Sequence, residues 1–167
     1  MAVSTETIKE LRQSSGAGVM DCKRALEEAD GDVARASEIL RQRGLALAET
    51  RAHRATTQGL VECYIHAGGR IGAMVELNCE TDFVARTDAF KALAHDLAMQ
   101  VAATGPLSIS PDDLPPGAEG DPNELCLLLQ PYIRDPARTI QELITEAIAQ
   151  TKENIQIRRF ARFELGQ

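Results

Sequence analysis

The side chains best suited to chemistry in this 167-residue chain are few and scattered. His53, His66 and His95 stand far apart, and none has a metal-ligating neighbour at ligand spacing. Cys22, Cys63, Cys79 and Cys126 form no Cys-x-x-Cys pair, so zinc-ribbon and thioredoxin-type chemistry has no support. Scattered single thiols of this kind read as reduced and packed. No Gly-x-Ser-x-Gly, His-Glu-x-x-His or Gly-x-x-x-x-Gly-Lys-Ser/Thr pattern occurs. Gly16-Ala17-Gly18 looks like a phosphate cradle but follows a helical pattern rather than a strand, which is the wrong geometry. The expectation is a protein without catalytic residues, resident metal or cofactor.

Two other segments combine residue types that suit docking to a partner. In the first, Leu11 to Leu26, two apolar residues, Val19 and Met20, stand side by side after a glycine-rich break. Helical geometry lets one of them face the core but hardly both. The segment reads either as a tightly packed helix–turn–helix or as an exposed apolar tip. In the second, Glu76 to Arg86, Phe83 and Val84 lie where a strand pattern gives way to a helix, flanked by Asp82 and Arg86. Asp82 could cap a helix whose Phe83 fills the core. Alternatively, a rigid aromatic beside a carboxylate forms a wedge for a partner's pocket.

The elements that position these segments follow from periodicity and punctuation. Residues 4–44 predict three short helices. Ser4 or Thr5 caps the first, Gly16-Ala17-Gly18 breaks it, Asp30-Gly31 ends the second, Asp32 caps the third, and Gly44 suits its end. Residues 45–55 favour a helical connector. Period-two alternation then gives one apolar face with Val61, Cys63 and Ile65 and another with Ile71, Ala73, Val75 and Leu77, joined by a Gly68-Gly69 turn. A last strand has Ile155 and Ile157, then Ala161, Phe163 and Leu165, on one side. Helices over 88–103 and from Thr139, with a Thr139-x-x-Glu142 capping box, should cover the sheet. All seven prolines fall between Pro106 and Pro136, so that stretch should be loop-rich. These elements predict an α+β fold: residues 1–45 as a three-helix domain, 46–56 as the connector, and 57–167 as a core domain. The core has a three-stranded antiparallel sheet packed by helices and a Pro-rich loop at about 104–124.

The formal charge is −7, and residues 55–150 carry fourteen acidic side chains against five basic. Such a balance argues against nucleic acid as the main partner, and 4% aromatics without tryptophan disfavour base stacking. No apolar run reaches the ~18 residues of a membrane span, and Met1 to Glu6 lack the features of a secretory signal. A cytoplasmic protein with no membrane partner is expected.

Both docking segments resemble the signature motifs of the elongation factor Ts family, as does the stretch from Glu153-Asn154-Ile155 to Arg158-Arg159-Phe160-Ala161-Arg162-Phe163-Glu164-Leu165-Gly166. The resemblance covers nearly all the chain outside about residues 104–126. It implies a ubiquitin-associated-like helical domain, an α+β core, and guanine nucleotide exchange on elongation factor Tu, in its GDP and nucleotide-free forms. It places Arg12, Val19 and Met20 of the first motif, and Thr81, Asp82, Phe83 and Val84 of the second, against the GTPase. Asp82 and Phe83 would enter near the Mg²⁺ and phosphate end of its GDP site. The chain looks like a short form, for which a homodimer is expected. Two departures stand out: the stretch from Gly105 to Glu124 is too short for the helical hairpin often found there, and Lys152 occupies a family glycine position. The competing expectation is a scaffold or chaperone-like module without exchange activity.

Overall fold

A computed structural model describes residues 3–166; Met1, Ala2 and Gln167 lie outside the described residues. The chain divides into two compact units, one running to Arg54 and taking in Thr145–Asn154, the other comprising Ala55–Ile144 and the chain from Ile155.

The first unit begins with α1 (Thr5–Ser15), α2 (Val19–Glu28) and α3 (Val33–Arg51). Ser4 caps α1 by accepting from the Thr7 amide, and Asp32 caps α3 by accepting from the Arg35 amide. α1 ends at Gly16, whose left-handed φ of 65° carries its amide to the Arg12 carbonyl. Leu11, Cys22, Ala25, Leu26, Ala29 and Ala36 make the core, with Ile8, Ile39 and Leu40 packed around it. α3 does not stop at Gly44 as expected. A Cβ at that buried glycine would stand 3.4 Å from the Ala149 Cβ, so the glycine permits close packing in mid-helix. The expected connector is therefore largely the continuation of α3.

In the second unit, β1 (Gln58–Ile65), β2 (Ile71–Cys79) and the last strand, Ile155–Glu164, form an antiparallel sheet in which β2 is central. Between them come α4 (Asp82–Ala85), α5 (Asp88–Thr104), α6 (Pro122–Leu125), β3 (Pro131–Tyr132), β4 (Asp135–Thr139) and α7 (Ile140–Thr151); the last strand is β5. α5 packs on all three strands of the sheet; of the face its spacing predicts, Phe90, Leu93, Ala94, Leu97 and Val101, all are buried except Leu93, which is half-buried. The capping box before α7 is present: the Thr139 amide and hydroxyl donate to Glu142, and the Glu142 amide donates to Thr139.

The two faces of the sheet differ from the expectation. Pairing of Leu60 with Leu77 and Glu62 with Val75 puts Ala73, Val75 and Leu77 on the buried side. Val61, Cys63 and Ile65 then point the other way and are exposed. In β5 the pairing with β2 slips at Glu76/Leu77, leaving Arg158 as an extra residue. Ile155 and Ile157 are therefore buried, whereas Phe163 and Leu165 emerge on the opposite, exposed face with Met74.

The Pro-rich stretch is more ordered than a loop. Besides α6 it forms the β3–β4 hairpin, which prolines tolerate because it is no central part of a sheet. Gln100, fully buried on α5, donates to the Gln130 side chain and the Pro131 carbonyl and accepts from the Ile133 amide. The Tyr132 hydroxyl donates to Asp96 at 2.7 Å, and Arg134 pairs with the same carboxylate. Burial, then the Asp96 hydrogen bond, pushes the Tyr132 hydroxyl up to about 12. Among the described residues, no helix is long and apolar enough to cross a membrane.

Candidate functional site

In the helical unit, the turn between α1 and α2 carries the first set of residues. Arg12 is exposed on the last turn of α1. Val19 and Met20 open α2 and are 48% and 61% exposed, while Cys22, Ala25 and Leu26 occupy the inward face. The first buried position of α2 is thus Cys22, which leaves both earlier apolar residues outside. The turn is fixed from within: Ser15 donates to the Leu11 carbonyl and accepts from the Ala17 amide, and the Cys22 thiol points to the Ala17 carbonyl. Asp21, next to Met20, pairs with Arg24 and with Lys152. The Arg24 hydrogen bond, aided by the Lys152 charge, holds its carboxyl below the usual carboxylate range.

In the sheet unit, the second set sits on α4, a single turn between β2 and α5. Thr81, not Asp82, is the cap, its hydroxyl accepting from the Val84 amide. Thr87 closes the other side: its hydroxyl donates to the Val84 carbonyl and accepts from the Phe90 amide. The buried Cys79 thiol donates to the Thr81 carbonyl, and Ala85 is the buried residue of the turn. Phe83 is thereby turned outward and is 79% exposed. Leaving a phenylalanine in water forgoes about 1.5–3 kcal/mol of burial. The reading in which Phe83 fills the core does not hold; Phe90, only 3% exposed, does that. Asp82 and Val84 are half-buried, and Asp82 pairs with Arg86 at 2.9 Å.

Each unit thus presents an exposed apolar tip on a braced turn, with ion-paired carboxylates alongside. This arrangement suits docking, since rigid apolar anchors lose little entropy when they bind. Among the described residues, no group of three or more His, Cys, Asp and Glu side chains could hold a metal ion. The Lys152–Asp21 pair is not visible in the sequence. The two residues are remote in sequence, and no periodic signal joins them.

The chain matches the family model described as Elongation factor TS over residues 8–120. It is 49% identical over 195 residues to elongation factor Ts of Carboxydothermus hydrogenoformans, covering 99% of this chain and 90% of that relative. It is 47% identical to elongation factor Ts of Thermoanaerobacter sp. strain X514 over 99% and 96% of the two chains. Against elongation factor Ts of Heliobacterium modesticaldum the identity is 46%, over 99% and 91%. These alignments run over 195 positions against 167 residues here, so the relatives carry residues that this chain lacks.

Proposed function

Because this chain belongs to the elongation factor Ts family, and is therefore a translation elongation factor, we propose that it is the guanine nucleotide exchange factor for elongation factor Tu. It binds the GDP form, promotes GDP release, and yields a nucleotide-free complex from which GTP displaces it. The observation that supports this reading best is Phe83, an exposed aromatic on a one-turn helix braced at both ends.

The mechanism needs no bond to be made or broken, so the protein is not an enzyme. A GTPase holds GDP through backbone amides and a Mg²⁺ ion at the phosphates. Arg12, Val19 and Met20 dock on the GTPase domain. Thr81 and Val84 brace the turn from which Phe83 wedges beside that site, while the Asp82 carboxylate enters a field arranged for phosphate and Mg²⁺. By linkage, the factor weakens GDP by the same ratio as GDP weakens the factor. No cofactor, nucleic acid or membrane takes part, and the reaction belongs to the cytoplasm.

The partner set includes a second copy of this chain. The outer sheet face exposes Val61, Ile65, Met74, Phe163 and Leu165. A contiguous apolar face of this kind suits a self-complementary two-fold contact. Phe163→Asp is expected to shift sedimentation from dimer toward monomer at micromolar concentration; a wild-type monomer would reject the dimer. The scaffold alternative rests on the residues this chain lacks relative to its relatives.

Stopped-flow release of a fluorescent GDP analogue from elongation factor Tu separates the readings. Substoichiometric wild-type protein should accelerate release, and Phe83→Ala should lose about 30-fold of that acceleration, as for a buried aromatic anchor worth about 2 kcal/mol. A protein that binds without changing the GDP off-rate is a scaffold. Undiminished acceleration by saturating Phe83→Ala removes Phe83 as the wedge.

A further inference from the structure

Lys152 follows the last turn of α7 with a φ of 61°, in the left-handed region that favours glycine. Its amide donates to the Ile148 carbonyl at 2.8 Å, as at a helix C-terminus normally closed by glycine. A lysine there costs conformational energy that glycine would not. Its side chain reaches one partner among the described residues, the Asp21 carboxylate at 3.4 Å, in an exposed pair. Exposed pairs return little stability. The residue is therefore a poor choice for the fold alone, and a local rule broken without structural gain points to function.

The surroundings supply that function. Asp21 adjoins Met20 in the first turn of α2, and the adjacent Gly16 lies so close to Gln150 that an added Cβ would meet its Nε2 at 2.1 Å. Gln150 and Lys152 together form a platform under the turn between α1 and α2. Asp21 lies at the start of α2, where its negative charge also favours the helix dipole.

We infer that Lys152 is a positioning residue for the partner-binding tip: its ammonium tethers Asp21 to the end of α7 and so holds Val19 and Met20 in the orientation that docks on the GTPase. This rests on the exchange-factor reading and adds to it a residue outside both signature segments. It also sets a trade: glycine at this position would make the fold more stable and the factor weaker.

The test uses the full chain in three variants, Lys152→Gly, Lys152→Met and Asp21→Asn, with the double variant Lys152→Met/Asp21→Asn. Lys152→Gly should raise the melting temperature by about 2–4 °C while raising the half-saturating concentration for stimulated GDP release about threefold. Lys152→Met should raise that concentration similarly without the thermal gain, and the double variant should be no worse than either single. Amide exchange at Cys22, whose amide bonds the Gly18 carbonyl, should quicken in Lys152→Met in the absence of any partner. Unchanged exchange at Cys22, or additive losses in the double variant, overturns the inference. Failure of the wild type to accelerate GDP release defeats the exchange reading instead, and the Cys22 readout still decides whether the tether exists.

Discussion

Phe83 and Phe90 lie close in the chain on consecutive helices, yet one is 79% exposed and the other 3%. Residue type does not separate them; the length of the helix does. α5 is long enough for a full apolar stripe, and its contacts with the sheet fix which side of the helix turns in. α4 has a single turn, so its phase is set by Thr81 and Thr87 at its ends and by Ala85 inside. α5 uses its phenylalanine to hold the fold together, whereas α4 is held together by other residues and leaves its phenylalanine exposed.

Substitutions sharpen this contrast. Phe90→Ala should destabilise by about 3–5 kcal/mol, measured by urea unfolding, because it empties a closed part of the core. A cost below about 1 kcal/mol would mean that α5 does not depend on it. Tyr132→Phe should cost about 1–2 kcal/mol by removing the hydrogen bond to Asp96. It should also change the alkaline profile. The hydroxyl is held at about 12 against an ordinary 10.0, so its contribution is complete below pH 10 and fades as pH rises toward 12. The variant should lack that fade, and an identical alkaline profile in both proteins would count against the link between Tyr132 and Asp96. Phe83→Ala should alter unfolding free energy by less than about 0.5 kcal/mol, since it removes exposed surface only. A larger loss would place Phe83 in the core and abolish the contrast.

Much of this was legible beforehand, and the exceptions have physical causes. The inward stripe of α5 and the capping box at Thr139 follow from spacing and local hydrogen bonding, which sequence displays directly. The orientation of Phe83 was not legible, because a single turn contains too few residues to define a phase. Gly44 reads as a terminator until the helix it lies against is known; its role is set by Ala149, far along the chain. The β3–β4 hairpin hides behind prolines that discourage strands, and it is secured by Gln100, a buried polar residue that no apolar pattern flags. Alternation identified β1, β2 and β5 but could not show which apolar face would be covered.

The extra residue in β5 has a consequence of its own. Before Arg158, odd-numbered side chains of the strand face the core; from Arg159 onward the even-numbered ones do. One strand thereby reads in two frames and furnishes two surfaces from a single run of alternating residues. Deleting Arg158 would restore unbroken alternation with Phe160 still opposite Val75 and Phe163 still opposite Gly72, so the strand should keep both surfaces and lose only the local irregularity that the extra residue makes.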